Sequence, residues 1–428
     1  MTGSSSGPAT LAGPESTLPS VGRRGFMLAM LLIVYTFNFV DRQILGILAS
    51  SIKADLALSD TQLGVMGGLA FAILYSTLGV PLAWLADRTS RTWVIAGSLA
   101  LWSGFTALCG IATNFTQMCA FRLGVGIGEA GGVAPSYALI GDIFPARQRA
   151  RALALYSLGI PLGSALGVLF GGYIAATIDW RTAFLSIGLA GLLFAPLFKV
   201  AVREPRKPVL TSARPAFKTV MRILAAKRSF WLLSLGAASS SMVGYGMGFW
   251  LPSMLRRSFG LDLVQTSQFY GALLLSGGVA GILLGGWLGD WLGARDKAAY
   301  PRLPALAYLI SVPLFAAAML SPSVTLSFAL FIVPQALAYV WLGPVLTAVQ
   351  HLVPQPMRAT ASASFLLINN LIGVGFGAMT IGALSDRFTI SLGDQGLRAA
   401  LLVSLIFYLI AALLMAIAGK YLRKEWVD

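Results

Sequence analysis

Four ionisable side chains stand inside the most apolar parts of this chain: Asp41 and Arg42 in the run YTFNFVDRQILG, and Arg122 and Glu129 in the run FRLGVGIGEAG. Each run belongs to a stretch long enough to cross a bilayer. A charge at such depth costs at least about 2.5–3.5 kcal/mol on insertion scales, so residues of this kind face a water-filled cavity and find partners there. Two acids and two bases make a neutral set. Arg122 and Glu129 are seven residues apart, so on a helix they lie on nearly one stripe, roughly 10 Å apart along the axis. Tyr35, Asn38 and Arg42 share a stripe at i, i+3 and i+7. Asp41 and Arg42 point about 100° apart and cannot both aim at one partner. Measured by the rise per residue, the first pair falls at a depth between the two charges of the second, which predicts one polar cluster.

The chemistry that fits is proton carriage. A carboxylate that exchanges burial for an arginine partner takes up or releases a proton when a conformational change breaks or makes the pair, and Asp41 and Glu129 are the candidates. Arg42 and Arg122, with Tyr35 and Asn38 on the Arg42 stripe, are candidate charge partners and substrate contacts. A permanent ion pair joining two helices is the plain alternative, disfavoured because buried pairs are poor stabilisers.

The elements that must position these residues follow from composition. Of 428 residues, 57% are hydrophobic and 11% charged. That supplies about 244 apolar residues, against the roughly 240 that twelve membrane helices need. A soluble enzyme, a disordered regulator and a secreted disulfide scaffold are excluded. Two cysteines, Cys109 and Cys119, and the single His351 leave no metal cluster and no disulfide framework. Apolar runs fall near 26–50, 62–85, 93–111, 116–140, 150–175, 182–201, 229–255, 266–290, 303–320, 324–349, 359–385 and 396–420. In lipid the backbone must satisfy its own hydrogen bonds, so these are helices. The fold class is all-α and integral to the membrane.

The net charge of +15 is mostly a topology signal: of 31 Lys and Arg, 23 fall on the side of the termini, 6 on the other, and Arg42 and Arg122 remain inside spans. That bias places both termini in the cytoplasm and argues against nucleic-acid binding. Residues 1–22, rich in Ser, Gly, Pro and Thr, read as a disordered tail and not a signal peptide. Segment 202–228 is a basic cytoplasmic linker between two six-helix bundles, 23–201 and 229–428. AWLADR at 83–88 recurs as GWLGDW at 286–291, an offset of 203 that also carries the first span onto the seventh. Two parallel six-helix repeats with a site at midplane between them are expected.

Further residues carry expectations of their own. Asp87, Arg88 and Arg91 after the second span, with Asp142 ending the fourth, suit a cytoplasmic gate: Asp87 capping a helix N-terminus, Arg88 or Arg91 pairing with Asp142. Interfacial snorkelling is the alternative. Gly159, Gly163, Gly167 and Gly171, and again Gly277, Gly281, Gly285 and Gly289, form i+4 stripes that mark close helix packing, with sliding at a moving interface as an elaboration. Gln335, Asn369, Asn370, Trp250, Tyr339 and Trp341 would line a cavity charged on one half and polar-aromatic on the other, which suits an amphipathic substrate; for the deep aromatics, packing is the commoner alternative. Trp84, Trp93, Trp180, Trp231 and Trp287 read as interface belts.

With these residues in view, the chain resembles the major facilitator superfamily: GVPLAWLADRTSR (79–91) is similar to its helix 2–3 signature, RLGVGIGEA (122–130) to its helix 4 arginine motif, and GIPLGSALGVLFGG (159–172) loosely to its antiporter motif. YTFNFVDRQILG with RLGVGIGEAG resembles the Spinster family, and the chain looks like a bacterial member. The resemblance implies alternating access and proton-coupled export of lysolipid-like or sphingoid-phosphate-like amphiphiles across the inner membrane. It places Asp41, Arg42, Arg122 and Glu129 on the family's charged positions. The helix 5 motif departs, having GIPLG in place of Gly-Pro followed by two glycines. The same fold carrying a sugar, drug or organic anion is the rival. An enzyme is not expected, since no His/Asp/Cys constellation lies within a span, and a sensor would need a large added domain. GVGIGEAGG contains no GxGxxG and no phosphate-binding GxxxxGK[ST] occurs, so energy should come from an ion gradient with no cofactor beyond the proton. Membrane lipids and a small amphipathic substrate are the expected partners, and a monomer the expected state.

Overall fold

The computed structural model describes residues 19–204 and 217–427, without the side chains at 87, 146, 147, 150 and 217. Every regular element among them is helical. The helices trace twelve crossings. Span 1 is Val21–Leu56, span 2 is Asp60–Gly67 continued by Leu69–Arg88, and span 3 is Arg91–Cys109. Span 4 joins Phe115–Ala130 to Val133–Ile143, span 5 joins Ala146–Ser157 to Gly159–Thr177, and span 6 is Trp180–Ala201. In the second half, span 7 is Arg228–Phe259, span 8 runs from Leu263 to Arg295, span 9 is Ala299–Leu320 and span 10 runs from Val324 to Gln350. Span 11 runs from Arg358 to Leu392 and span 12 from Gly396 to Glu425.

Among the described residues, nine stretches are long and apolar enough to cross a membrane on their own, the last of them Gln355–Glu425, which holds two crossings. Spans 4 and 7 fall short because span 4 carries the buried charges and is cut at Gly131 and Gly132, while span 7 is diluted by serines and glycines. These two deficits belong to function and packing. Both supply the central cavity.

Both glycine stripes pack helices within a half. Gly163 and Gly167 let span 5 lie on the backbone of span 1 at Thr36 and Val40, and Gly281 and Gly285 let span 8 lie on span 10 at Ala336 and Val340. The expected sliding between moving halves is therefore assigned elsewhere: Gly172, off the stripe, faces Ser267 of the other half. Span 2 is interrupted at Gly68, whose backbone is non-helical at φ −115° and ψ −86°, and where a Cβ would stand 2.6 Å from the Gly375 carbonyl oxygen of span 11. Spans 8 and 11 each contain one wide turn, Leu274–Gly278 and Asn370–Val374. Such π-bulges are frequent at functional sites.

Two boundaries differ from the sequence reading. The helix of span 1 begins at Val21, inside the segment taken as a tail, of which 1–18 lie outside the described residues. The linker contains a helix, Phe217–Ala225, whose short apolar stripe is too brief to stand out beside membrane spans; 205–216 lie outside the described residues. At the face that carries both termini, Arg423 of span 12 donates to both Asp296 oxygens at 2.8 and 2.5 Å. Those bonds hold the Asp296 carboxyl down to about 2. The clasp should thus persist at neutral and mildly acid pH and weaken only as pH falls through that range.

Substitution at the stripes should be costly and substitution at open glycines should not. Gly163→Val and Gly281→Val would force side chains into backbone and should each destabilise by about 1–3 kcal/mol. Gly97→Ala, where no atom lies within 4 Å of the new Cβ, should change stability by less than about 0.5 kcal/mol. Thermal unfolding in detergent compares them.

Candidate functional site: a central charged cavity and its seal

The four intramembrane charges do come together, with one ion pair among them. Arg42 Nε of span 1 donates to Glu129 Oε2 of span 4 at 2.8 Å, and the Glu129 side chain is fully buried. The rings of Tyr75, Phe71 and Phe39 enclose the Arg42 guanidinium at 4.5, 5.0 and 5.1 Å. Arg122 lies over Phe71 at 5.4 Å. Asp41, one residue and about 100° away from Arg42, turns instead toward Arg122, Thr106 and Trp102. It makes no ion pair among the described residues, and its Oδ1 has no hydrogen-bond partner. Buried polar groups are normally paired, yet Asn38, Arg122 Nε and Nη1, Glu129 Oε1 and Thr106 share this condition. Such a site favours charges and dipoles that can rearrange.

A cavity of about 1320 Å³, its open mouth included, lies between the halves. Its N-terminal wall carries Arg42, Gln43 and Arg122; its C-terminal wall is made of Met247, Phe249, Leu251, Tyr270, Phe315 and Trp341 among others. Gln335 and Tyr339 line it as expected. Trp250 does not: it is wholly buried and donates from Nε1 to the Ala378 carbonyl at 2.8 Å. Asn369 and Asn370 stand behind the wall, where Asn369 Oδ1 accepts from Ser241 at 2.9 Å. Tyr35 is likewise behind it, stacked on Tyr156 at 4.3 Å, and buried Asn38 faces Glu129. Sequence reasoning missed Tyr245, which reaches Arg42 from span 7; a tyrosine in an apolar run gives no signal of its direction.

Sequence reasoning also missed the seal at the face away from the termini. Asp60, 1% exposed, begins span 2 and accepts both terminal nitrogens of Arg257 from span 7 at 2.6 and 2.7 Å. Lys53 donates to it at 2.6 Å and Ser385 of span 11 at 2.7 Å. Asp386 in turn accepts from the backbone nitrogens of Asp60 and Thr61 at 3.0 and 2.8 Å, so a carboxylate of one half caps a helix of the other. The only trace in sequence is the capping box at Ser59 and Gln62.

The expected gate at the terminal face is partly corrected. Arg91 pairs with Asp142, and its backbone nitrogen donates to Glu204 at 3.2 Å. Arg91 and Asp142 both belong to the N-terminal half, so the pair ties span 3 to span 4 and does not lock the halves together. Arg88 is not in it: its guanidinium stacks on Trp84 at 3.9 Å, an interfacial posture. The side chain of Asp87 lies outside the described residues.

The sequence profile described as Major Facilitator Superfamily matches residues 31–378. The chain belongs to that superfamily. An "MFS-type efflux pump" of Mycolicibacterium smegmatis is 34% identical over 97% of this chain and 96% of its own. "Protein spinster" of Drosophila melanogaster is 29% identical over 90% of this chain and 67% of its own. A crystal structure described as a bacterial homolog of the human lysosomal transporter Spinster, inward-facing and unoccupied, superposes with a TM-score of 0.85 at 29% identity, covering 96% of this chain and all of the other. This is a Spinster-like, multi-pass membrane transporter and not an enzyme.

The seal makes a direct prediction. Asp60→Asn removes the charge of a buried carboxylate shared by partly exposed Lys53 and Arg257, a change worth about 2–5 kcal/mol at such interfaces, and should raise the population open at the far face at least tenfold. Spin-label distances between the far ends of spans 1 and 7 would report it; an unchanged distribution would mean the network does not hold the halves.

Proposed function

We propose that this transporter moves an amphipathic, lipid-like molecule with an acidic head, of the lysophospholipid or sphingoid-phosphate type, across the bacterial inner membrane by alternating access driven by protons. The observation that carries this reading is the asymmetry of charge in the cavity: Arg42 and Arg122 on one wall, and on the other an uncharged wall of mostly aromatic and aliphatic side chains with Ser240, Ser241 and Gln335 among them. An arginine in a water-poor cavity binds phosphate oxygens in a planar, charge-assisted geometry, while the opposite wall offers an alkyl chain about 25 cal/mol for each Å² it buries. With both termini in the cytoplasm, the far-face seal closes the periplasmic side and the cavity belongs to an inward-open state.

The coupling follows from the unlike surroundings of the two carboxylates. An acidic head arriving at Arg42 competes with Glu129 for the same guanidinium, and a Glu129 so released into an apolar site favours its protonated form. Asp41, facing Arg122 without a firm partner, is the second carrier. Proton exchange on these carboxylates then changes which state of the cavity is neutral, and a neutral cluster is the one that can reorient through a low-dielectric barrier at low cost. The path lies within one chain, consistent with a monomer, and needs no cofactor. The alternative, a drug or other organic solute, is favoured by the name of the mycobacterial relative as an efflux pump.

Transport of a labelled lysophospholipid in proteoliposomes under an imposed pH gradient tests both. Arg42→Ala should weaken binding about 10–150-fold, the value of charged hydrogen bonds worth about 1.5–3 kcal/mol. Asp41→Asn and Glu129→Gln should keep binding but lose the dependence on the gradient. Gradient-driven movement of a cationic drug with no movement of the lipid would favour the alternative.

A further inference from the structure

The linker helix Phe217–Ala225 is a two-faced element at the terminal face. Val220 and Leu224, four residues apart, are wholly buried in the core of the C-terminal half. Met221 Sδ accepts from Ser364 Oγ of span 11 at 3.1 Å. Lys218 and Arg222, also four apart, are exposed on the other side, and neither makes an ion pair among the described residues. The depth of the helix is set by Trp231 on span 7. That ring is 42% exposed, and its Nε1 donates to the Ala225 carbonyl at 3.1 Å. Tryptophans with one polar and one apolar end settle at the headgroup level of a bilayer. Lys227, immediately after the helix, is fixed by the carbonyls of Leu352 and Glu425 at 2.6 and 2.7 Å, so the helix is held in place.

From this we infer that the linker helix is a binding surface for anionic phospholipid headgroups, with Lys218 and Arg222 as the contacts. Three features favour a lipid headgroup. The cations are adjacent on one face, the helix is bonded to a partly exposed tryptophan of the kind that settles at the headgroup level, and its apolar face is already occupied by span 11, leaving the charged face to meet the surface. The interaction tethers the C-terminal half to the leaflet on the side of the termini. It is independent of which solute the cavity carries.

The test uses the full chain in phosphatidylcholine vesicles, with Thr219→Cys on the exposed part of the helix carrying a fluorophore and Cys119→Ser removing the half-buried thiol. Quenching by brominated phosphatidylglycerol is compared with quenching by brominated phosphatidylcholine. Basic residues near a membrane surface enrich anionic lipid about fivefold each, so a preference of up to about 25-fold is expected, shrinking at high salt. Lys218→Gln with Arg222→Gln should remove it, and Lys218→Arg with Arg222→Lys should keep it. Equal quenching by the two lipids, quenching by neither, or a preference that survives in the double Gln variant would overturn the inference.

Discussion

The contact between Arg42 and Glu129 is the constraint around which the N-terminal half is organised. Neither charge can remain alone in an apolar span, since desolvating an ion costs several kcal/mol that only a well-placed partner returns. Span 1 must therefore present Arg42 toward Glu129 of span 4 at one depth and one rotation. The aromatic rings that enclose Arg42 come from spans 1 and 2, so the same side chain also sets where span 2 can lie. Asp41, its neighbour in sequence, is turned toward a different arginine by helix geometry alone. Two carboxylates in one cluster thus meet unlike surroundings, an arrangement suited to separate roles.

The C-terminal half contributes no intramembrane charge to the cavity wall. It offers apolar and aromatic surface and reaches across through Tyr245, while its charged residues act at the rims. Arg257 and Asp386 work at the far face, where buried carboxylates and helix termini hold the halves together. Arg423 and Lys227 work at the terminal face within their own half. Among the described residues, the charged contacts between the halves lie at the far face.

Glycines permit this arrangement by letting backbones touch. Within each half the stripes bring span 5 against span 1 and span 8 against span 10 at backbone distance. Between the halves, Gly64 does the same against Ala378 and Met379 of span 11, while Gly172 meets the Ser267 side chain. Without a hydrophobic driving force in lipid, such close contact is how helices recognise one another.

Much of this was legible in the residues alone. Twelve apolar runs, the distribution of Lys and Arg, the repeat of AWLADR as GWLGDW and four charges at membrane depth are statements about the cost of polar groups in lipid, and that cost applies to any chain wherever its helices go. The packing role of the glycine stripes was also readable, because a missing side chain at every fourth position has few other uses. What only the tertiary structure decided was partner choice. Arg91 and not Arg88 meets Asp142; Trp250 is core while Gln335 faces the cavity; Asp60, far from any motif, becomes the centre of the seal. The physical reason is that helical periodicity gives the direction of a side chain relative to its own axis, whereas the rotation and kink of each helix are set by contacts distant in sequence. Asp60 and Arg257 are 197 residues apart, and nothing local to either announces the other.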